Sequence, residues 1–128
     1  MAVATCIETP TKFARYTVAD GNPIPIGTLL KLEDPNTAAA TAADNDPFAG
    51  IAWEEKTASD GITEITVALD GVWDITTSAG VAIGEKVSIS GANTIAKVAA
   101  ADLLFAGVGT ALEACAGAEA IRVRVNII

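Results

Sequence analysis

The sequence contains no histidine, which removes the general base of most hydrolytic triads and the commonest side-chain ligand of metal ions. Aromatic residues make up only 5% of the chain although 51% of it is hydrophobic, so its core must be built from small and β-branched side chains. The two cysteines, Cys6 and Cys115, are far apart and form no CxxC pattern. The sequence therefore predicts no metal, no cofactor and no enzymatic activity.

Basic residues are scarce as well, with 8 lysines and arginines against 16 aspartates and glutamates, which gives a net charge of −8. Because a phosphate backbone repels such a chain, nucleic-acid binding is disfavoured. The sequence has no apolar run of about 18 residues and does not begin with the basic and apolar regions of a secretory signal, so we expect no membrane partner and no export. Its 128 residues fit one domain.

An internal repeat organises the chain. Three pairs of segments align at offsets of 57 or 56 residues: 24–32 with 81–89, 48–51 with 105–108, and 65–69 with 121–125. The repeat predicts two β-units, about 24–69 and 81–126. We expect the two units to share one core, because about 45 residues are too few to bury a core alone.

Hydrophobic periodicity predicts strands. Apolar residues recur at a period of two, or nearly so, in four stretches: 30–32, 62–67, 87–89 and 121–127. Turn-forming residues such as Asp60 and Gly61 separate these stretches. The pattern is typical of an all-β protein, here a small β-barrel or sandwich built from the duplicated unit. We interpret residues 1–20 as an extended N-terminal arm with a first strand, and residues 21–128 as a single β domain.

Candidate residues for chemistry or recognition are few. Asp44 and Asp46 could form the carboxylate pair of a glycosidase, although their turn-rich surroundings favour a structural role. Trp53 and Trp73 are the two large aromatic residues. We interpret them as core residues or as anchors of an oligomer interface, and alternatively as stacking platforms for a sugar ring.

Four features occur in a fixed order along residues 24–126. They are a strand-opening glycine in each repeat (Gly27 and Gly84), the FAG[IV] motifs at 48–51 and 105–108, the VALDGVW segment at 67–73, and the alternating closing strand at 121–127. In this order they resemble the small head decoration proteins, or capsid cement proteins, of tailed bacteriophages.

The resemblance implies a non-enzymatic, β-rich protein on the outer surface of the virion, made in the host cytoplasm, that binds the major capsid protein and stabilises contacts between its subunits. It also implies a homo-oligomer, often a trimer, and no catalytic residue carries over. As capsid-contacting residues we predict Lys12, Phe13, Arg15 and Tyr16. The alternative function is a carbohydrate-binding β-module of a phage fibre or cell surface.

Overall fold

Strands are the only regular elements in the part of the chain that the computed structural model describes, residues 3–33, 36–44, 46–98 and 107–126. These strands are β1 (Thr5–Glu8), β2 (Phe13–Thr17), β3 (Leu29–Leu32), β4 (Ala38–Ala40), β5 (Phe48–Ala52), β6 (Glu64–Ala68), β7 (Asp70–Thr77), β8 (Lys86–Gly91), β9 (Thr94–Lys97), β10 (Gly107–Ala111) and β11 (Ala120–Asn126). The all-β prediction is confirmed. These ranges contain no helix that could cross a membrane.

The carboxyl-terminal half of the chain forms a closed barrel. Its strands follow one another in the order β7-β11-β10-β8-β9 through antiparallel pairs. A parallel pairing of β9 with β7, between Thr94 and Thr76 and between Ile95 and Thr77, closes the ring. We call this the second barrel. Closure gives each of the five strands two neighbours and so reduces the number of open edges.

The amino-terminal half repeats this arrangement. Its strands follow the order β2-β6-β5-β3-β4, and a parallel bridge between Thr17 and Thr37 joins the two ends of the sheet. We call it the first barrel. Strands β2 to β6 therefore correspond, one by one, to strands β7 to β11. The small β-barrel expected from the duplicated sequence is thus present.

The two barrels agree in register as well as in strand order. In the β3–β4 hairpin Leu30 pairs with Ala40, and in the β8–β9 hairpin Val87 pairs with Lys97, each 57 residues later. Isolated bridges also occur at corresponding places: Ile24 with Lys56, and Val81 with Cys115. The duplication seen in the sequence is therefore a duplication of backbone structure.

The correspondence between β5 and β10 differs from the sequence alignment. Gly50 pairs with Leu30, and its structural counterpart is Gly109, which pairs with Val87. The sequence had aligned Gly50 with Gly107. A Cβ at Gly50 or at Gly109 would lie 2.4 Å or 1.9 Å from atoms of the neighbouring strand. Glycine is needed where these strands approach closely. The structural correspondence therefore follows the close approach and not the FAG[IV] motif.

Apolar side chains fill the barrels in two clusters. The first cluster comprises Val18, Ile24, Leu30, Ala38, Ala49, Ala52, Ile65 and Val67, all from the first barrel. The second cluster is centred on the second barrel, yet it includes Leu29, Phe48, Ile51 and Ala68 of the first barrel. The expected single core is thus present only in part: the first barrel has a cluster of its own, and side chains of the first unit help to build the core of the second.

The amino-terminal segment is not an extended arm in the described residues. Strand β1 pairs with β7 at the outside of the second barrel, and β2 is a strand of the first barrel. Ahead of β1, the N–H of Ala4 donates to the carbonyl of Gly27 over 2.8 Å. Main-chain hydrogen bonds therefore hold the segment against both barrels.

Lys56 is the one charged side chain that is buried in the described ranges, and none of its side-chain surface is exposed. Its ammonium donates to carboxylate oxygens of Asp60 and Asp20, at 2.8 and 2.9 Å, and to the main-chain carbonyl of Asp20 at 2.8 Å. Burial lowers the pKa of Lys56, but these hydrogen bonds outweigh it and leave the pKa raised. The hydrogen bond from Lys56 holds the pKa of Asp60 at about 2.

Replacing Lys56 by methionine fills the same volume but removes the cation between Asp20 and Asp60. We expect the melting temperature at pH 7 to fall by about 10 °C, because the remaining acceptors lose their charged donor. The pKa of Asp60 is about 2 in the folded protein, below its ordinary value of 3.8. The contribution of Asp60 to stability is therefore fully present above pH 3.8 and is lost as the pH falls through about 2. The difference between Lys56→Met and wild type should shrink over this pH range.

Lys12→Met is the control for that measurement, since Lys12 is exposed. Thermal unfolding followed by circular dichroism should show little change for this variant. An equal loss of melting temperature in both variants would mean that the buried position of Lys56 contributes nothing.

Gly27 and Gly84 allow a second test, because they occupy equivalent turns with φ of +93° and +83°. Alanine at either position incurs the same backbone strain, of about 1 kcal/mol. At Gly27 the new Cβ would also lie 2.1 Å from the carbonyl oxygen of Ala4, whereas at Gly84 nothing lies within 4 Å. We expect Gly27→Ala to lower the free energy of unfolding by about 2 kcal/mol more than Gly84→Ala, measured by urea denaturation. Equal losses would show that the Ala4 contact is not maintained in solution.

Candidate functional site

Strand β2 carries the predicted capsid-contacting residues, and its pleat divides them between two faces. Phe13 and Arg15 are exposed on the outer face of the first barrel. Tyr16 is partly buried and packs against the cluster inside that barrel. Lys12 precedes the strand and is exposed. The structure thus brings Phe13 and Arg15 together on the surface, and directs Tyr16 to the inside, because successive side chains of a strand point to opposite faces.

A groove of about 450 Å³ lies on this outer face and is lined by Phe13, Ala14, Arg15, Trp53 and Thr66. The rings of Phe13 and Trp53 are 5.5 Å apart between centroids and tilted by 53°. Phe13 keeps 44% of its surface exposed, and Trp53 is half-buried. The groove is therefore an apolar aromatic surface open to solvent.

Arg15 lies beside this aromatic surface, but its charge is balanced within the chain. Its guanidinium donates to Glu64 at 2.8 Å, to Glu54 at 3.1 Å and to the Thr66 hydroxyl at 2.8 Å. The hydrogen bond to Glu64, ahead of the attraction to both carboxylates, raises the pKa of Arg15. Hydrogen bonds from Thr66, together with Arg15, lower the pKa of Glu54. One guanidinium beside two carboxylates leaves one negative charge over, so a partner that docks here meets a weakly anionic rim instead of a free cation.

Asp70 fixes the connection between β1 and β2. Its carboxylate accepts hydrogen bonds from the N–H and hydroxyl of Thr11, at 2.7 and 2.6 Å, and from the N–H of Lys12 at 3.1 Å. The hydrogen bond from the Thr11 side chain is the main reason that the pKa of Asp70 is lowered. Strand β2 therefore begins at a fixed position, which also fixes the place of Phe13.

The outer edge of β2 differs from that of its counterpart β7. Strand β1 covers the edge of β7 and pairs with it at Val72 and Asp74. The strand correspondence places Phe13 and Arg15 where the second barrel has Val72 and Asp74. No described strand pairs with Phe13 or Arg15 on that side.

The main-chain groups of Phe13 and Arg15 point to this open edge. The N–H of Val18 donates to the carbonyl of Thr63, on the side of β6. The N–H of Thr17 points to the opposite side and donates to the carbonyl of Asn36. Residues two apart in a strand direct their main-chain groups to the same side. Phe13 and Arg15 thus share the direction of Thr17, and their N–H and carbonyl groups are available to an added strand.

The two tryptophans have different environments. Trp73 is 1% exposed, its indole N–H donates to the carbonyl of Asp70 at 3.1 Å, and its ring meets Trp53 in an edge contact with centroids 6.0 Å apart. Its ring therefore has no surface to offer to a sugar or to another subunit. Of the two predicted interface residues, Trp53 alone reaches the surface.

The remaining candidate, the carboxylate pair, does not resemble an acid–base site. The carboxylate of Asp46 accepts hydrogen bonds from the N–H groups of Ala42 and Ala43, at 2.8 and 2.9 Å, and so caps a turn. Burial raises the pKa of Asp46, but these hydrogen bonds outweigh it and leave the pKa lowered. A lowered pKa suits a turn cap better than a general acid. The described residues contain no group of three or more potential metal ligands.

Sequence reasoning missed two features of the site. The first is the pairing of Arg15 with Glu54 and Glu64, which come from sequence positions 39 and 49 residues away. The second is the open edge of β2, for which the sequence offers no signal, because edge exposure depends on where β1 pairs. Alternation within residues 13–17 could have separated Tyr16 from Phe13.

The comparisons with known proteins add no further residues to this site. A scan against protein-family models found no match, and a search of curated proteins also found none. The candidate site therefore depends on its geometry: an open strand edge beside an exposed aromatic groove.

Proposed function

We propose that the protein is a capsid cement protein that binds the outer surface of an assembled viral head and holds neighbouring major capsid subunits together. The observation that carries this proposal is the open edge of β2 beside the groove of Phe13 and Trp53. An adhesive role needs such a surface. Enzymatic activity is not part of the proposal.

Strand addition is the mode of attachment that this surface favours. An extended segment of a capsid subunit can pair with Phe13 and Arg15 as β1 pairs with Val72 and Asp74 in the second barrel. Main-chain hydrogen bonds would supply binding energy, and the aromatic groove would accept an apolar side chain of the added strand. Attachment to the assembled lattice alone would stabilise that lattice by mass action.

The charge of the chain suits an outward-facing body. A net charge of −8 keeps the protein soluble and disfavours binding to packaged nucleic acid. Near the docking surface, Arg15 offsets one of the two negative charges of Glu54 and Glu64, which reduces the negative charge at the place where a capsid strand would approach. A carbohydrate-binding role has weaker support, since Trp73 is buried and Phe13 already packs against Trp53.

A proline at position 15 tests the open edge. Proline removes the N–H that points to the edge, while a strand at the edge of a sheet tolerates it. Arg15→Ala is the matched control, because it removes the same side chain and keeps the N–H. We expect Arg15→Ala to attach to expanded heads somewhat more weakly than wild type, because Glu54 and Glu64 lose their counter-charge, and Arg15→Pro to attach about tenfold more weakly than Arg15→Ala. Co-sedimentation with purified heads measures this, and circular dichroism checks folding.

The outcomes separate the function from its mode of attachment. If wild type does not add stoichiometrically to heads or raise their tolerance to heat, the proposed function is wrong. If both Arg15 variants bind equally well, a cement role can stand but attachment does not use the edge of β2.

A further inference from the structure

The two barrels contact each other through unlike ends. The Asn93 side chain, in the β8–β9 turn of the second barrel, accepts a hydrogen bond from the N–H of Leu29 at 2.8 Å. The N–H of Asn93 donates to the hydroxyl of Thr41 at 3.0 Å. Leu29 begins β3 and Thr41 follows β4, so both lie opposite the turn of their own hairpin. We call the two kinds of end the turn end and the base end of a barrel.

Within the described ranges, this head-to-tail contact leaves one end of each barrel without a contact to the other barrel. The turn end of the second barrel covers the base end of the first. The turn end of the first barrel and the base end of the second therefore remain at opposite extremes of the molecule. Because the barrels are duplicates, each free end has a buried counterpart inside the chain with which it can be compared.

The base ends differ sharply in burial. Their corresponding residues are Gly27 and Gly84, Leu29 and Lys86, and Thr41 and Val98. The three residues of the first barrel are all buried, and the three of the second are all exposed. Thr41 is 3% exposed, for example, whereas Val98 is 39% exposed. In the first barrel Asn93 covers Leu29 and Thr41, and Ala4 of the amino-terminal segment covers Gly27. The free base end thus leaves uncovered, at Lys86 and Val98, the positions that the contact between the barrels covers.

The turn ends show the converse difference. Ile89 in the second barrel is fully buried, whereas its counterpart Leu32 in the first barrel is 40% exposed. The two asparagines have the same backbone conformation, since Asn93 and Asn36 adopt φ of +55° and +56°. Asn36 is exposed. The first barrel therefore presents to solvent the counterpart of the asparagine that the second barrel uses for its contact.

Charges on the two free ends are of opposite sign. Lys86 and Lys97 outnumber Glu85 at the free base end, and Glu33 lies at the free turn end; both lysines and Glu33 are exposed, and Glu85 is partly buried. The counterparts of the two lysines and Glu33 in the internal contact are the uncharged residues Leu29, Ala40 and Ser90. Opposite charges on the free ends favour contact between different copies and fix its direction, although each copy carries a net negative charge.

We infer that a second copy of this chain docks head to tail, with its Asn36 on the Lys86 and Val98 surface of the first copy. The internal contact between the barrels is the template for this interface. Such a contact is heterologous, so it generates a closed ring or an open filament instead of a twofold dimer. The inference does not depend on the proposed function.

Light scattering coupled to size-exclusion chromatography tests the association directly. We expect wild type to form oligomers at about 100 μM, a concentration that populates complexes of micromolar affinity. A fixed mass of three or more copies indicates a ring, and a mass that grows with concentration indicates a filament, and either supports the inference. A monomer or a dimer of fixed mass at this concentration overturns it.

Charge reversal tests the direction of the contact. Lys86→Glu and Glu33→Lys each place like charges on the facing ends, and we expect each to weaken association about tenfold. The double variant, Lys86→Glu with Glu33→Lys, again places opposite charges on the facing ends, with the positive charge now at the turn end. Its association should return towards the wild-type level. Both residues are exposed, so the variants should fold, which circular dichroism checks. Oligomers that none of these changes affects would contradict the proposed interface.

The asparagine turns supply a matched pair of variants. Glycine accepts the positive φ at position 36 or 93, so either substitution keeps the turn and deletes only the amide side chain. We expect Asn36→Gly to weaken association by about tenfold and to leave the melting temperature of the dissociated chain unchanged. Asn93→Gly should lower the melting temperature and leave association intact. Weaker association in Asn93→Gly, together with a lower melting temperature in Asn36→Gly, would overturn the inference.

Discussion

Main-chain hydrogen bonding along the first strand of each barrel is the constraint on which the rest of the structure depends. Each five-stranded sheet closes where its first strand meets its third, and that contact spans few residues: the bridge of Thr17 with Thr37 in the first barrel, and the pairs formed by Thr76 and Thr77 in the second. The earlier part of each first strand therefore needs another neighbour. In the second barrel β1 is that neighbour, and in the first barrel no strand of the described part of the chain takes that place.

Duplication has produced two similar backbones with different surfaces. Where one barrel covers the other, the sequence places apolar or small residues, as at Leu29 and Ile89. At the equivalent positions on the free ends it places Lys86 and Leu32, which are exposed. The two units thus have similar backbones but differ in the residues and the exposure at their ends. This division is expected when the same backbone must serve both as an internal contact and as a surface.

The exposed aromatic groove and the neutralised arginine make the surface of β2 suited to adhesion. Phe13 and Trp53 offer apolar area that the chain itself does not bury completely. Arg15 is held in place by Glu54 and Glu64, so it contributes a fixed shape more than a net charge. Residues fixed before binding lose less conformational entropy when a partner docks.

Local patterns determined the fold class and the duplication, because alternation of apolar residues and turn-forming residues act over a few positions. Tertiary structure decided the rest. Which residues face a partner depends on where distant strands pair: Trp73 is buried, Trp53 reaches the surface, and residues 5–8 form an edge strand instead of an extended arm. Lys56 shows the reason most clearly, since its burial requires Asp20, which lies 36 positions earlier in the chain. Long-range pairing sets such environments, and no local pattern records them.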